Sequence, residues 1–93
     1  MPKYKVIAHR RVHKFISDLK DENVKNTIKD TLTKLENYPI ILREMDVEKI
    51  KGLKKTFRIR IGKYRIIFHV DKTEKTIYVA HAEIRKKAYK RLS

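Results

Sequence analysis

The segment "TFRIRIGKYRIIF", Thr56 to Phe68, sets arginine against bulky apolar residues on both sides of one glycine. A guanidinium is planar, permanently charged and able to donate paired hydrogen bonds. Several of them on one rigid element would grip a phosphate and stabilise charge developing on it. The spacing fits that use. Gly62-Lys63 reads as a two-residue hairpin loop with glycine first, as a type II′ turn requires. Such a loop sets Ile61 opposite Tyr64, Arg60 opposite Arg65, Ile59 opposite Ile66 and Phe57 opposite Phe68. Alternation then places Phe57, Ile59, Ile61, Tyr64, Ile66 and Phe68 on one face, and Arg58, Arg60 and Arg65 on the other. Opposed like charges cost roughly 0.2–1 kcal/mol per pair, and neither strand offers a carboxylate to offset them. The expectation is an anion site on the open side of a sheet; the plainer alternative is a row of solvated arginines.

Proton transfer near neutral pH usually falls to histidine. His9 and His13 are four residues apart, a metal-ligand spacing, but no carboxylate or thiolate nearby completes a site, so no metal and no cofactor is expected. His69 belongs to the arginine face, several residues from Arg65. His81 is a secondary candidate: it comes beside Arg65 if the connection Asp71–Lys75 sets that register, and a one-residue slip turns it to the other face. The alternative for His81 is a partly buried strand residue.

The elements that must position these groups follow from the pattern. Residues Lys3–Ala8 read as a first strand. Val12, Phe15, Ile16 and Leu19 define an apolar helical stripe over His9–Lys20. Val24, Ile28, Leu32 and Leu35 define a second, capped by Asp21 and running to about Asn37, before Pro39. Ile40–Lys51 reads as a loop leading to a turn at Gly52. Strands follow at Thr56–Ile61, Tyr64–Val70 and Thr76–Ala82, then a basic tail. The expected fold is a single α+β domain over residues 1–93, ordered β-α-α-β-β-β. Its N-terminal helical hairpin packs on one face of a mainly antiparallel sheet.

Composition narrows the partners. Twenty-five Lys and Arg against eleven Asp and Glu leave +14, an excess that attracts a polyanion, nucleic acid first. The absence of cysteine excludes disulfides and thiolate metal sites and suits a reducing cytoplasm. No apolar run reads as a signal peptide or membrane span, so a cytoplasmic protein with no membrane partner is expected.

The stretch "KIKGLKKTFRIRIGKYRIIF", Lys49 to Phe68, closely resembles the signature of the RelE/ParE toxin superfamily. That signature is a K-L-K-G-like turn, then Y/F-R-I-R, a short glycine turn and Y-R-I-x-Y/F. Element order, length and the basic tail match as well, with an archaeal-type RelE character in "R-x-x-A-Y". The resemblance implies a toxin held inactive by a cognate acidic RelB-like antitoxin. It also implies a metal-free enzyme that cleaves mRNA in the decoding site of the small ribosomal subunit. Carried over position by position, it assigns catalytic roles to Arg58, Arg60, Arg65, Arg85 and Tyr89; Lys49, Lys51, Lys54, Lys55, Lys86 and Lys87 are expected to contact RNA. Well-studied RelE enzymes carry lysine where this chain has Arg58 and Arg60; arginine keeps the charge but does not accept a proton at cellular pH. Tyr89 has three readings: a proton acceptor beside cations, a platform for a base, or an aromatic packed on the sheet. Three other functions share the motif: a ParE-like poison of DNA gyrase, a non-catalytic nucleic-acid-binding module, and a degenerate toxin that retains only antitoxin binding.

Overall fold

Alternating β-branched and aromatic residues in the second half of the chain need a partner for their apolar side, and the two N-terminal helices supply it. The structure, a computed structural model, describes residues 3–84. β1 (Lys5–Ala8) is followed by α1 (Arg10–Ser17) and α2 (Glu22–Lys34). Two short 3-10 turns (Leu35–Asn37 and Ile40–Glu44) lead into β2 (Val47–Lys49), β3 (Thr56–Ile61), β4 (Tyr64–Asp71) and β5 (Thr76–Ile84). The sheet order is β1-β5-β4-β3-β2, with β1 parallel to β5 and the other pairs antiparallel. The expected α+β architecture is therefore observed.

Local chemistry starts both helices. Asp21 accepts hydrogen bonds from the backbone N–H of Asn23 (2.9 Å) and Val24 (3.3 Å), the expected N-cap. His9, which had metal-ligand spacing with His13, instead caps α1: its Nδ1 accepts from the Arg11 N–H at 3.1 Å. Val12, Ile16, Ile28 and Leu35 are buried against Ile59, Ile66, Phe68, Ile77 and Val79, and all six apolar residues of the hairpin join this core. Aromatic contacts extend it at both ends, Phe15 on Tyr64 and Tyr38 on Phe57, with Phe57 stacked on Phe68.

The hairpin has the expected register, with Arg60 directly across from Arg65. Gly62 has φ +59° and Lys63 a negative φ, the pattern of a turn whose first position excludes ordinary side chains.

One expected loop is a strand. Asp46-Val47-Glu48-Lys49 pairs with β3, setting Val47 against Ile59 and Glu48 against Arg58. A three-residue edge strand is too short for alternation to stand out, yet it sends Val47 to the core and Glu48 to the open face.

The turn geometry yields a prediction. Space around Gly62 is open, so only the backbone conformation opposes a side chain there. Gly62→Ala should lose about 1–2 kcal/mol in denaturant unfolding, whereas Lys63→Ala should change stability by no more than about 0.5 kcal/mol.

Candidate functional site

The face turned away from the helices is crossed by three rows of side chains. Nearest the Gly62 turn, Glu83 on β5, Arg65 on β4 and Arg60 on β3 lie in line, and Asp46, just before β2, reaches Arg60. The next row is His81, Ile67, Arg58 and Glu48. The third is Ile7, Tyr78, His69 and Thr56, with the Thr56 hydroxyl 2.8 Å from His69 Nδ1.

Arg58, Arg60 and Arg65 thus share one solvent face, as expected, but they are not left unneutralised. Arg58 is bonded to Glu48, Arg60 to Asp46 at 3.3 Å, and Arg65 to Glu83 at 2.8 Å. The expectation of an all-positive cluster is corrected here. The neutralising carboxylates come from the flanking strands, where hairpin arithmetic does not look. The facing pair Arg60/Arg65 is bracketed by an acid on each side, which removes the like-charge penalty.

A β-bulge makes the Arg65 arrangement possible. Ile67 pairs with His81 and Phe68 with Val79, so Ala80 is the extra residue on β5. Strict alternation from buried Ile77 and Val79 would send His81 and Glu83 into the core. The extra residue turns both outward and brings Ala82 in. His81 Nε2 then lies 3.0 Å from Glu83 Oε1, while Arg65 holds the other oxygen. The register question at His81 is thereby answered: it shares Glu83 with Arg65 on the open face. Glu83 is the member that sequence reading missed; a bulge leaves no periodic signature.

The arginines retain binding capacity. Arg65 is only 18% exposed at its side chain, Arg58 33%, and the Nε atoms of both are buried without a hydrogen-bond partner among the described residues. A buried donor left unpaired is costly, and an anionic oxygen would satisfy it. The arrangement can therefore take an oxyanion in exchange for a carboxylate.

The sequence-derived lysines do not all gather here. Lys49 pairs with Phe57, which places it on the helix side of the sheet, opposite the arginines. Lys51 and Lys54 are exposed in the turn before β3. Lys55 ends that turn at φ +51°. Its ammonium is held below the ordinary lysine range by hydrogen bonding and repulsion from Lys72, with smaller contributions from burial and Lys49. This basic cluster is at the other end of β3 from Arg60, ~13 Å along the strand. Arg85, Lys86, Lys87 and Tyr89 lie outside the described residues. Among the described residues, no group of three or more His, Asp or Glu is placed to hold a metal ion, and no helix is long and apolar enough to cross a membrane.

Comparison with known proteins settles the family. Residues 6–89 match the family model described as ParE toxin of type II toxin-antitoxin system, parDE. The chain belongs to the RelE/ParE toxin superfamily. A relative from Methanocaldococcus jannaschii that carries the name toxin RelE1 is 33% identical over 88 residues, covering 95% of this chain and 97% of the relative. In the solved archaeal RelE-RelB complex from Pyrococcus horikoshii OT3, the matching chain is 27% identical with a TM-score of 0.78, covering 89% of this chain and 96% of that one. The isolated Escherichia coli RelE toxin shares the fold at a TM-score of 0.71 and 19% identity, covering 97% and 99%.

The Glu48 pair gives a pH prediction. Hydrogen bonding and charge from Arg58 hold the Glu48 carboxyl below its ordinary value, with smaller pulls from Arg60 and Arg65. A carboxyl whose folded-state value is depressed contributes stability above its unfolded value of ~4.3 and loses it as pH falls below that. Glu48→Gln should therefore lower stability at neutral pH and flatten its fall below about pH 4.3, measured by thermal unfolding across pH.

Proposed function

We propose that this RelE/ParE toxin is a ribosome-dependent, metal-free endoribonuclease that cleaves mRNA in the decoding site and is held inactive by an acidic antitoxin. The observation that carries the reading is the fixed set of Arg58, Arg60 and Arg65 on one open sheet face, two of them with buried Nε donors that have no partner among the described residues. RNA scission without a metal requires a 2′-oxygen to attack the adjacent phosphorus while negative charge builds on the phosphorane oxygens. Preorganised guanidiniums stabilise that charge. A phosphate entering the face competes with Glu48, Asp46 and Glu83, so the site accepts RNA well only where something else aligns the chain. The ribosome provides alignment, worth several kcal/mol of a barrier, and the isolated toxin should cut free RNA poorly. Arg85 and Tyr89, from the tail, are assigned to the same centre by family resemblance, and the net charge of +14 favours an acidic, folding-on-binding inhibitor.

One observation favours a second reading. The matching family model is that of a ParE toxin, and a gyrase poison would use the same hairpin without cutting RNA. Inducing the chain in cells and mapping RNA ends separates the two. The endoribonuclease reading predicts new in-frame mRNA ends that fall about 100-fold or more with Arg65→Ala, the loss expected for one transition-state donor. Cleaved DNA–gyrase complexes with intact mRNA would establish the ParE reading instead.

A further inference from the structure

The three arginines supply charge, but none of them takes a proton from a 2′-hydroxyl. The base must come from elsewhere, and the open face offers a preassembled one. We propose that His81 is the proton-accepting catalytic residue of this toxin and that Glu83 is its positioning residue, coupled to the substrate through Arg65. The proposal rests on the reading of the chain as an RNA-cleaving enzyme.

The geometry is specific. Glu83 spends one carboxylate oxygen on His81 Nε2 at 3.0 Å and the other on Arg65 at 2.8 Å. A histidine whose Nε2–H donates to a carboxylate presents Nδ1 as the nitrogen that can take up a proton, in a fixed ring orientation. His81 is 41% exposed, open to a substrate on this face. It lies diagonal to Arg65 across β4 and β5, roughly 7 Å away by strand geometry. A phosphate held by Arg65 would therefore bring the neighbouring ribose towards the imidazole. The Ala80 bulge creates this arrangement, since without it both side chains would face the core.

The proton balance is simple. His81 Nδ1 takes the 2′-hydroxyl proton as the 2′-oxygen bonds to phosphorus. The P–O5′ bond breaks, and the departing 5′-oxygen takes a proton from solvent water. The products are a 2′,3′-cyclic phosphate and a 5′-hydroxyl, and no oxidant or reductant is needed. Arg65 links this step to binding. When a phosphate occupies the guanidinium, Glu83 is released from it and is left to hold His81 alone. Among the described residues, the charged and titratable groups around His81 are Glu83 and Tyr78 on β5, Arg65 and His69 on β4, and Arg58 across Ile67 on β3. On the β1 side is His9, whose N–H bonds the Val79 carbonyl, with Arg11 bonded to the His9 ring.

The test is single-turnover mRNA cleavage on programmed ribosomes from pH 5 to 9, for wild type, His81→Gln and Glu83→Gln. It is paired with an NMR titration of the His81 ring in the free toxin. Wild type should cleave faster as pH rises through the His81 titration and then level off. His81→Gln should lose that rising limb and slow by about 100-fold or more. Glu83→Gln should slow the single-turnover step while leaving ribosome binding in place, and should move the His81 ring nitrogen signals, because the ring loses its carboxylate partner. If wild type cleaves and His81→Gln matches it in rate and pH profile, the assignment of His81 is wrong while the endoribonuclease reading stands. His81 ring signals and a cleavage rate both indifferent to Glu83→Gln overturn the role of Glu83. If wild type leaves ribosome-bound mRNA intact, the endoribonuclease reading itself fails and the proton-transfer assignment goes with it.

Discussion

Arg60 and Arg65 are forced into direct opposition by the two-residue turn at Gly62, and the rest of the open face is organised around relieving that repulsion. Glu83 flanks the pair on one side and Asp46 on the other, while Arg58 in the next row meets Glu48. Two acids arrive on the edge strand β2 and its approach, and the third on β5, through a bulge. Each flanking strand thus has an electrostatic task besides closing the sheet. The result is three guanidiniums held in defined positions by acidic partners from the flanking strands.

That arrangement changes what the high net charge means. The face that looks most basic in sequence is close to neutral in the folded protein, because three arginines meet three carboxylates. Among the described residues, cations without an acidic partner lie elsewhere, in the Lys49, Lys55 and Lys72 group at the far end of the sheet. On the proposed function, long-range attraction of nucleic acid would belong to cations such as these and close-range recognition of a phosphate to the arginines. Separating the two limits indiscriminate binding, since a polyanion drawn to the surface still has to replace a carboxylate to occupy the face.

Legibility in the sequence followed the strength of local rules. The glycine-first turn and strict alternation made the β3–β4 register, the apolar face and the coplanar arginines readable in advance. Asp21 was readable as a cap because its side chain acts on its immediate neighbours. Glu48 and Asp46 were hidden in "REMDVEK", where an acid-apolar-acid alternation of three residues is too short to mark a strand; their partners lie 10 and 14 residues onward. Glu83 and the orientation of His81 depended on one inserted residue, Ala80, which tertiary pairing selects and no periodicity announces. The site was therefore legible where it is local and opaque where it is assembled between strands.

On the proposed function, carboxylates hold these arginines until a phosphate takes their place. The most direct test is NMR of the arginine Nε–H groups and the glutamate side-chain carboxylate carbons while a short RNA with a blocked 2′-oxygen is added. Arg58 and Arg65 Nε–H signals should shift together with the Glu48 and Glu83 carboxylates, which should move towards the values of unpaired side chains. RNA that saturates the protein while these four signals stay in place would contradict it.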